Sequence, residues 1–279
     1  MSMNETQKGA LYVVGTPIGN LSDISERAKK VLSEVDFVCA EDTRVSGKLL
    51  NLYGIKNHFI SYHEHNKDVA APAIIERLLS GDAGAIVTDA GMPAISDPGE
   101  DLVRLCVIRG IRVIPIPGAC AFVAALAASG FPSRRFCFEG FLPTDKKEKR
   151  QVLETCANDL RTTIFYEAPH RLVKTLEEMK SVLGDRKICL ARELTKLNEE
   201  IVVTTFSEAQ ILYETIKPRG EYVIIIEGAV KKQACDFENL TVAQHVEMYI
   251  SQGLSKMDAI KACAADRKVP KSVIYKEFI

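Results

Sequence analysis

GALYVVGTPIGNLSD, residues 9–23, is the stretch on which the reading of this chain turns. Residues 10–14 are continuously apolar and read as a strand. Gly15, Pro17 and Gly19 then mark a turn, and a helix follows. A strand, a glycine-bearing turn and a helix make the entry of many nucleotide-binding folds. Here the third glycine of a dinucleotide fingerprint is missing, and so is the Gly-Lys-Ser/Thr of a P-loop. Asp36 lies the ~20 residues on that a ribose partner requires. It precedes the next apolar run, 37–40, instead of ending it. The turn therefore fits neither a dinucleotide fingerprint nor a P-loop.

Outward from this entry, strands and helices alternate. Asp23 is the expected cap of the first helix, with Glu26 as its capping-box partner and Ala28, Val31, Leu32 and Val35 as its apolar stripe. Short apolar strands are expected at 37–40, 59–62, 85–88 and 112–116, with helices at 69–79 and 101–109. Continuous apolar strands separated by helices indicate a parallel-rich sheet covered on both faces. Residues 115–118, PIPG, read as a hinge, and a small-residue helix follows at 119–130. The second half carries strands at 136–140, 162–166, 187–191, 200–206 and 221–228. It also holds a charged stretch, DKKEKR (145–150), and helices at 171–183 and 208–215. The closeness of the last two strands suggests that they pair antiparallel, giving a mixed α/β domain. Beyond residue 237, Thr241 and Ser255 are expected to cap two short helices, and SVIYKEF a third, which fits a helix-turn-helix-like bundle. The expected domains are thus 1–117, 118–235 and 236–279.

Composition narrows the function classes. Lys and Arg number 36 against 37 Asp and Glu, so any nucleic-acid-binding charge must be local. Residues 251–279 hold six Lys or Arg and three Asp or Glu, one such local excess. No two of the 8 cysteines have C-x-x-C spacing, and most lie in apolar runs, as in a reducing compartment. The N-terminal stretch lacks a signal-peptide pattern and no apolar run reaches spanning length, so the expectation is a cytoplasmic protein without membrane attachment.

Three loops rich in Gly, Pro and small residues, at 15–20, 88–99 and 115–121, each follow a strand. In open α/β sheets the ligand sits beyond the carboxyl ends of the strands. Glycine lets backbone approach closely, so the three together suggest a shelf for a nucleoside-like ligand. Each loop taken singly is an ordinary turn.

In this order the motifs LYVVGTPIGNLSDIS, AEDTRVSGKLL, SYHEHN, TDAGMPAISDPG, IPGACAFVAALAASGFP, FYEAPHRL, ARELTKLNEE and RGEYVIIIEG span residues 11–228. The chain resembles the tetrapyrrole-methylase superfamily of S-adenosylmethionine-dependent methyltransferases, and within it the ribosomal RNA small subunit methyltransferase I family. The resemblance implies two α/β domains with the cofactor in the cleft between them, plus a small C-terminal helical domain. It implies 2′-O-methylation of a cytidine in the decoding region of 16S ribosomal RNA, within the small ribosomal subunit, by a homodimer. It places Ile18, Asp89, Ala90, Gly91, Ala94, Ile95, Ser96, Cys120, Ala121, Tyr166, Glu167, Ala168, Glu221 and Tyr222 around S-adenosylmethionine. Family members often carry Ser where Cys120 stands.

For the chemistry, a ribose hydroxyl is a weak nucleophile that a base would help. In AEDTR, Asp42 or Glu41 could take the proton and Arg44 could hold a phosphate; equally, Asp42 and Thr43 could simply start a helix. His170 stands before an amphipathic helix, either capping it or meeting substrate. Asp42, Arg44 and His170 are the catalytic candidates. His63 and His65 lack further ligands for a metal. Arg192 and Glu193 read as an internal ion pair, and Arg134, Arg135, 145–150 and the tail as phosphate contacts or solvated faces. A tetrapyrrole methyltransferase and a ligand-sensing nucleic-acid regulator are the competing readings.

Overall fold

The computed structural model describes residues 6–230 and 240–278. The expected boundary between residues 235 and 236, and Cys235, lie outside them. The chain divides into two compact units, Met1–Ala229 and Val230–Ile279.

The first unit opens with β1 (Ala10–Val14), α1 (Glu26–Glu34), β2 (Phe37–Ala40), α2 (Thr43–Leu52) and β3 (Phe59–Ser61). It continues with α3 (Lys67–Leu79), β4 (Gly84–Val87), α4 (Gly99–Ile108) and β5 (Arg112–Ile116). The five strands form one sheet in the order β3-β2-β4-β1-β5, and every pair in it is parallel. Two apolar clusters, one around Val38, Ala85 and Leu32 and one around Leu11, Ile86 and Ile74, cover its faces. β1, β2 and β4 are buried at every position, which is why they read as unbroken apolar runs. The first helix starts later than expected. Ser25, not Asp23, caps α1 by accepting the Ala28 N–H, and Asp23 closes a single 3-10 turn whose cap is Asn20.

The remainder of this unit holds α5 (Ala121–Ser129), β6 (Phe136–Phe141), α6 (Lys146–Ala157), β7 (Thr162–Glu167) and α7 (Leu172–Leu183). Then come β8 (Lys187–Arg192), β9 (Glu200–Thr205), α8 (Phe206–Thr215) and β10 (Tyr222–Ile226). These strands make a second sheet, ordered β6-β7-β10-β8-β9, parallel only between β6 and β7. The expected antiparallel pair of β9 and β10 does not form. β8 lies between them and is antiparallel to both, so β9 and β10 run the same way. The charged stretch 145–150 is the start of α6, capped by the Asp145 carboxylate on the Lys147 and Glu148 N–H groups.

In the second unit α9 (Val242–Ser251), α10 (Lys256–Asp266) and α11 (Lys271–Phe278) enclose Val246, Ile260, Cys263 and Ile274. Thr241 and Ser255 cap the first two helices, the former through a full capping box with Gln244. Among the described residues no helix is long and apolar enough to cross a membrane.

One contact fixes how the loops after the neighbouring strands β1 and β5 meet. A Cβ on Gly15 would lie 2.7 Å from the Gly118 Cα, and one on Gly118 the same distance from the Gly15 Cα. By contrast, a Cβ on Gly47, inside α2, would meet only a ring carbon of Phe59 at 3.9 Å. Gly15→Ala is therefore expected to cost about 1–3 kcal/mol. Gly47→Ala should add about 0.5–1 kcal/mol through helix propensity. Urea midpoints at constant m measure both; equal effects of the same sign would contradict this packing.

Candidate active site

The loop after β1 is stitched to the loop after β4. Thr16 and Gly91 exchange two backbone hydrogen bonds, 2.9 and 3.2 Å long, and the Thr16 hydroxyl donates to the Thr88 carbonyl at 3.2 Å. Gly91 sits at φ +88°, where a side chain would be strained, and its Cβ would press on Ile18 at 3.2 Å. Ala94 and Ser96 adopt φ of 64° and 62° despite carrying side chains. The Asp97 carboxylate holds that turn by accepting the Ala94 and Gly99 N–H groups at 3.0 and 2.7 Å. The second half closes on these loops. A Cβ on Gly140, at a β-bulge in β6, would come 2.8 Å from the Ser96 hydroxyl. Gly19 is as tightly held against Lys196 and the Leu194 carbonyl.

A cavity of about 430 Å³ opens between the loops and the ends of β7 and β10. That volume is in the range of small-molecule sites. Ile18, Asp89, Ala90, Gly91, Ile95 and Ser96 line it from the first half. Cys120 and Ala121 from the start of α5, Tyr166 and Glu167 from β7, and Glu221 and Tyr222 at β10 complete this set. Ala94 and Ala168, expected at the cofactor, are not among the lining residues: Ala94 carries the turn, and the Ala168 N–H donates to the Glu167 carboxylate at 2.8 Å. Sequence reasoning did not single out Thr88, Met92, Asp97, Phe141, Leu194 or Lys196, which also line the cavity. Most of these lie inside the quoted loop motifs, but nothing in their spacing shows which side chains turn inward.

Tyr166 and Phe141, which line the cavity, belong to an aromatic cluster. Phe122 stacks on Phe138 at 4.2 Å, Phe138 meets Tyr166 edge-on at 5.0 Å, and Phe141 lies 5.6 Å from Tyr166. The Tyr166 hydroxyl accepts the Phe122 N–H, and burial pushes its pKa up to about 12, so it is neutral at pH 7. Glu167 is only 1% exposed, yet its carboxylate is fully engaged. It accepts the Thr175 hydroxyl at 2.6 Å and the Ala168 N–H, and Arg171 pairs with it at 3.3 Å. Arg171 also donates to the Leu142 carbonyl. YEAPHRL thus locks β7 to the start of α7.

The first half supplies carboxylates. Burial raises the pKa of Asp89, opposed by the Asp42 N–H, which it accepts at 3.3 Å. Burial raises Asp97 as well, outweighing its backbone hydrogen bonds. Glu41, just beyond β2, also lines the cavity; burial raises its pKa first, then the charges of Asp89 and Asp97.

The three catalytic candidates lie outside the cavity lining. Asp42, rather than Thr43, caps α2, and its carboxylate takes the Arg44 N–H at 2.8 Å and the Arg44 guanidinium at 3.0 and 2.7 Å. Those bonds hold its pKa well below the ordinary carboxylate range. The Arg44 side chain is 85% exposed. His170 is exposed in the turn before α7, where the Ala168 carbonyl, not His170, takes the Arg171 and Leu172 N–H groups. Arg192 and Glu193 do not pair with each other: Arg192 bonds Glu200 at 2.5 Å and Glu193 bonds Lys196 at 2.9 Å. No group of three or more His, Cys, Asp or Glu side chains among the described residues is arranged for a metal ion.

Comparison with known proteins agrees with this architecture. The model of the Tetrapyrrole (Corrin/Porphyrin) Methylases matches residues 10–210. Ribosomal RNA small subunit methyltransferase I of Halalkalibacterium halodurans is 49% identical over 271 residues, covering 96% of this chain and 94% of that one. The protein of that name from Bacillus subtilis is 46% identical over 280 residues, covering 99% and 96%. Uroporphyrin-III C-methyl transferase from Thermus thermophilus, solved with S-adenosyl homocysteine, shares the fold at TM-score 0.55 and 18% identity, over 78% of this chain and 97% of that one. The chain belongs to the tetrapyrrole methylase family and, within it, to the branch of the ribosomal RNA small subunit methyltransferases I.

The closed network at Glu167 has a measurable energy. Glu167→Gln keeps the shape and removes one acceptor, leaving the Thr175 hydroxyl or Arg171 without its partner. The expected loss is about 1–3 kcal/mol. Urea denaturation checks it; a midpoint within error of the parent would mean the network contributes nothing.

Proposed function

We propose that this protein transfers a methyl group from S-adenosylmethionine to the ribose 2′-hydroxyl of a cytidine in the decoding region of 16S ribosomal RNA, on the small subunit. The observation that carries this reading is the cavity of about 430 Å³, with the glycine-bearing loops on one side and Tyr166 and the ends of β7 and β10 on the other. The residues present suit such a donor. Tyr166 offers an apolar face to a purine, Asp89 and the backbone of Ala90 offer acceptors and a donor to ribose and amino-acid groups, and the carboxylates favour a sulfonium cation. Ile95, Ser96, Cys120, Ala121 and Glu221 fill the gaps between these groups. The ribosomal RNA substrate is supported by the name borne by relatives 46% and 49% identical over nearly the whole chain. The donor is supported by the S-adenosyl homocysteine bound in a protein of the same fold.

Arg44 at the rim, together with Arg134, Arg135, Lys146 and Lys147, is a candidate for phosphate contacts. Lys149 and Arg150 are already paired with Glu178 and Glu154.

Methyl-labelled donor should transfer its label to undermodified small subunits. After digestion to nucleosides the label is expected in a ribose-methylated cytidine. Label found only in a tetrapyrrole precursor offered in parallel would replace this reading with the small-molecule one. A chain ending at Ala229 is expected to bind S-adenosyl homocysteine with unchanged affinity while labelling subunits at least tenfold more slowly. Equal labelling by the two chains would remove the helical tail from the account.

A further inference from the structure

We infer that Glu41 is the general base of this site, taking the proton of the ribose 2′-hydroxyl as the methyl group is transferred. This deepens the proposed function and rests on it.

The carboxylates lining the cavity differ in what already occupies them. Glu167 is closed by Thr175, Ala168 and Arg171. Glu193 is paired with Lys196. Asp97 is spent on the Ala94 and Gly99 N–H groups that hold the left-handed turn. Asp89 takes the Asp42 N–H. Two remain, Glu41 and Glu221. Glu221 stands on the tyrosine side, beside Tyr222 of β10. Glu41 stands at the loop side, beyond the carboxyl end of β2, with the Thr88 hydroxyl as its hydrogen-bond partner. Glu41 both lines the cavity and is exposed, so a substrate too large to enter can reach it.

The surroundings tune it for the task. Burial and the charges of Asp89 and Asp97 disfavour its ionised form, while the Thr88 hydrogen bond and His63 favour it, and the balance is upward. A carboxylate raised from its ordinary value toward working pH is a stronger proton acceptor while still ionised. Asp42, one residue on, is its opposite: two bonds from the Arg44 side chain and one from its backbone leave it a weak base. His63, beyond β3, contributes a ring whose Nδ1 is buried without a hydrogen-bond partner.

The step balances. S-adenosylmethionine, the methyl-donating co-substrate, carries the methyl group on a positive sulfur. A lone pair of the ribose oxygen forms the new oxygen–carbon bond. The carbon–sulfur bond breaks with its electron pair going to sulfur, which becomes a neutral thioether. The hydroxyl proton passes to the Glu41 carboxylate and then to water.

The test uses the full chain, small subunits and two readouts. First, carboxyl ¹³C shifts of glutamate-labelled protein bound to S-adenosyl homocysteine are followed against pH, with Glu41→Gln identifying the signal. Glu41 should titrate above the ordinary glutamate value; titration at or below it overturns the assignment. Second, E41Q should bind S-adenosyl homocysteine within twofold of the parent by calorimetry, while kcat on subunits falls roughly 10²-fold. Protonation silences this base, so parent kcat should fall as pH drops through the Glu41 pKa. That acidic limb should vanish in E41Q and persist in Asp42→Asn. E41Q within threefold of parent kcat, on subunits that the parent does label in ribose, overturns Glu41 alone. A parent that binds S-adenosyl homocysteine but labels no ribose overturns the proposed function and the base together.

Discussion

Backbone against backbone, Gly15 and Gly118 touch where no side chain would fit. Everything at the site depends on that approach. It brings the loop after β1 against the loop after β5, just ahead of α5. With the Thr16–Gly91 bridge it binds three loops into one surface made chiefly of N–H and C=O groups. Such groups are held by the sheet behind them and need no side-chain ordering when a ligand arrives. Strain at Ala94 and Ser96 is tolerated for the same reason: the Asp97 carboxylate and the packed strands over-determine that turn.

Much of this was legible in the residues. Strands buried on both faces print as unbroken apolar runs, and the expectation of a parallel-rich sheet followed from them. The glycines of three loops marked the turns that come together beside the cavity. What was hidden has physical causes. Pairing order within a mixed sheet is a tertiary fact, so nothing in 187–226 shows that β8 inserts between β9 and β10. α6 hid behind its charge: its buried face is little more than Leu153 and Cys156. The Asp23 cap failed because an Asn20-capped turn is interposed, moving the helix start to Ser25. Arg192 and Glu193 cannot pair because one ends β8 and the other turns at φ 51° into the next loop, each toward a different partner. Which of Glu41 and Asp42 faces the cavity was undecidable from sequence, since a helix cap and a free acid look alike there.

Asp42 and Glu41 show how one helix start divides labour. A carboxylate that caps a helix and also clasps an arginine is stabilised as an anion twice over and gives up basicity. The same helix start leaves its neighbour directed at the cavity among other acids, where ionisation is resisted. The exposed guanidinium of Arg44 is held by that clasp in one orientation, at no cost to the cavity's own charge.

The charges pose a problem that shape must solve. An acidic mouth with Glu41, Asp89 and Asp97 favours a cationic donor but repels a polyanion, and the chain as a whole carries a net charge of −1. Two unit charges 10 Å apart in water interact by only about 0.4 kcal/mol, and salt weakens this further. Repulsion at the mouth is therefore small beside what a few phosphate contacts on scattered arginines and lysines return. It is also local, falling on whatever enters the cavity. A phosphate carries charge, so the acids penalise an approach that leads with the RNA backbone. Weak long-range attraction then leaves recognition of ribosomal RNA to fit against a folded surface.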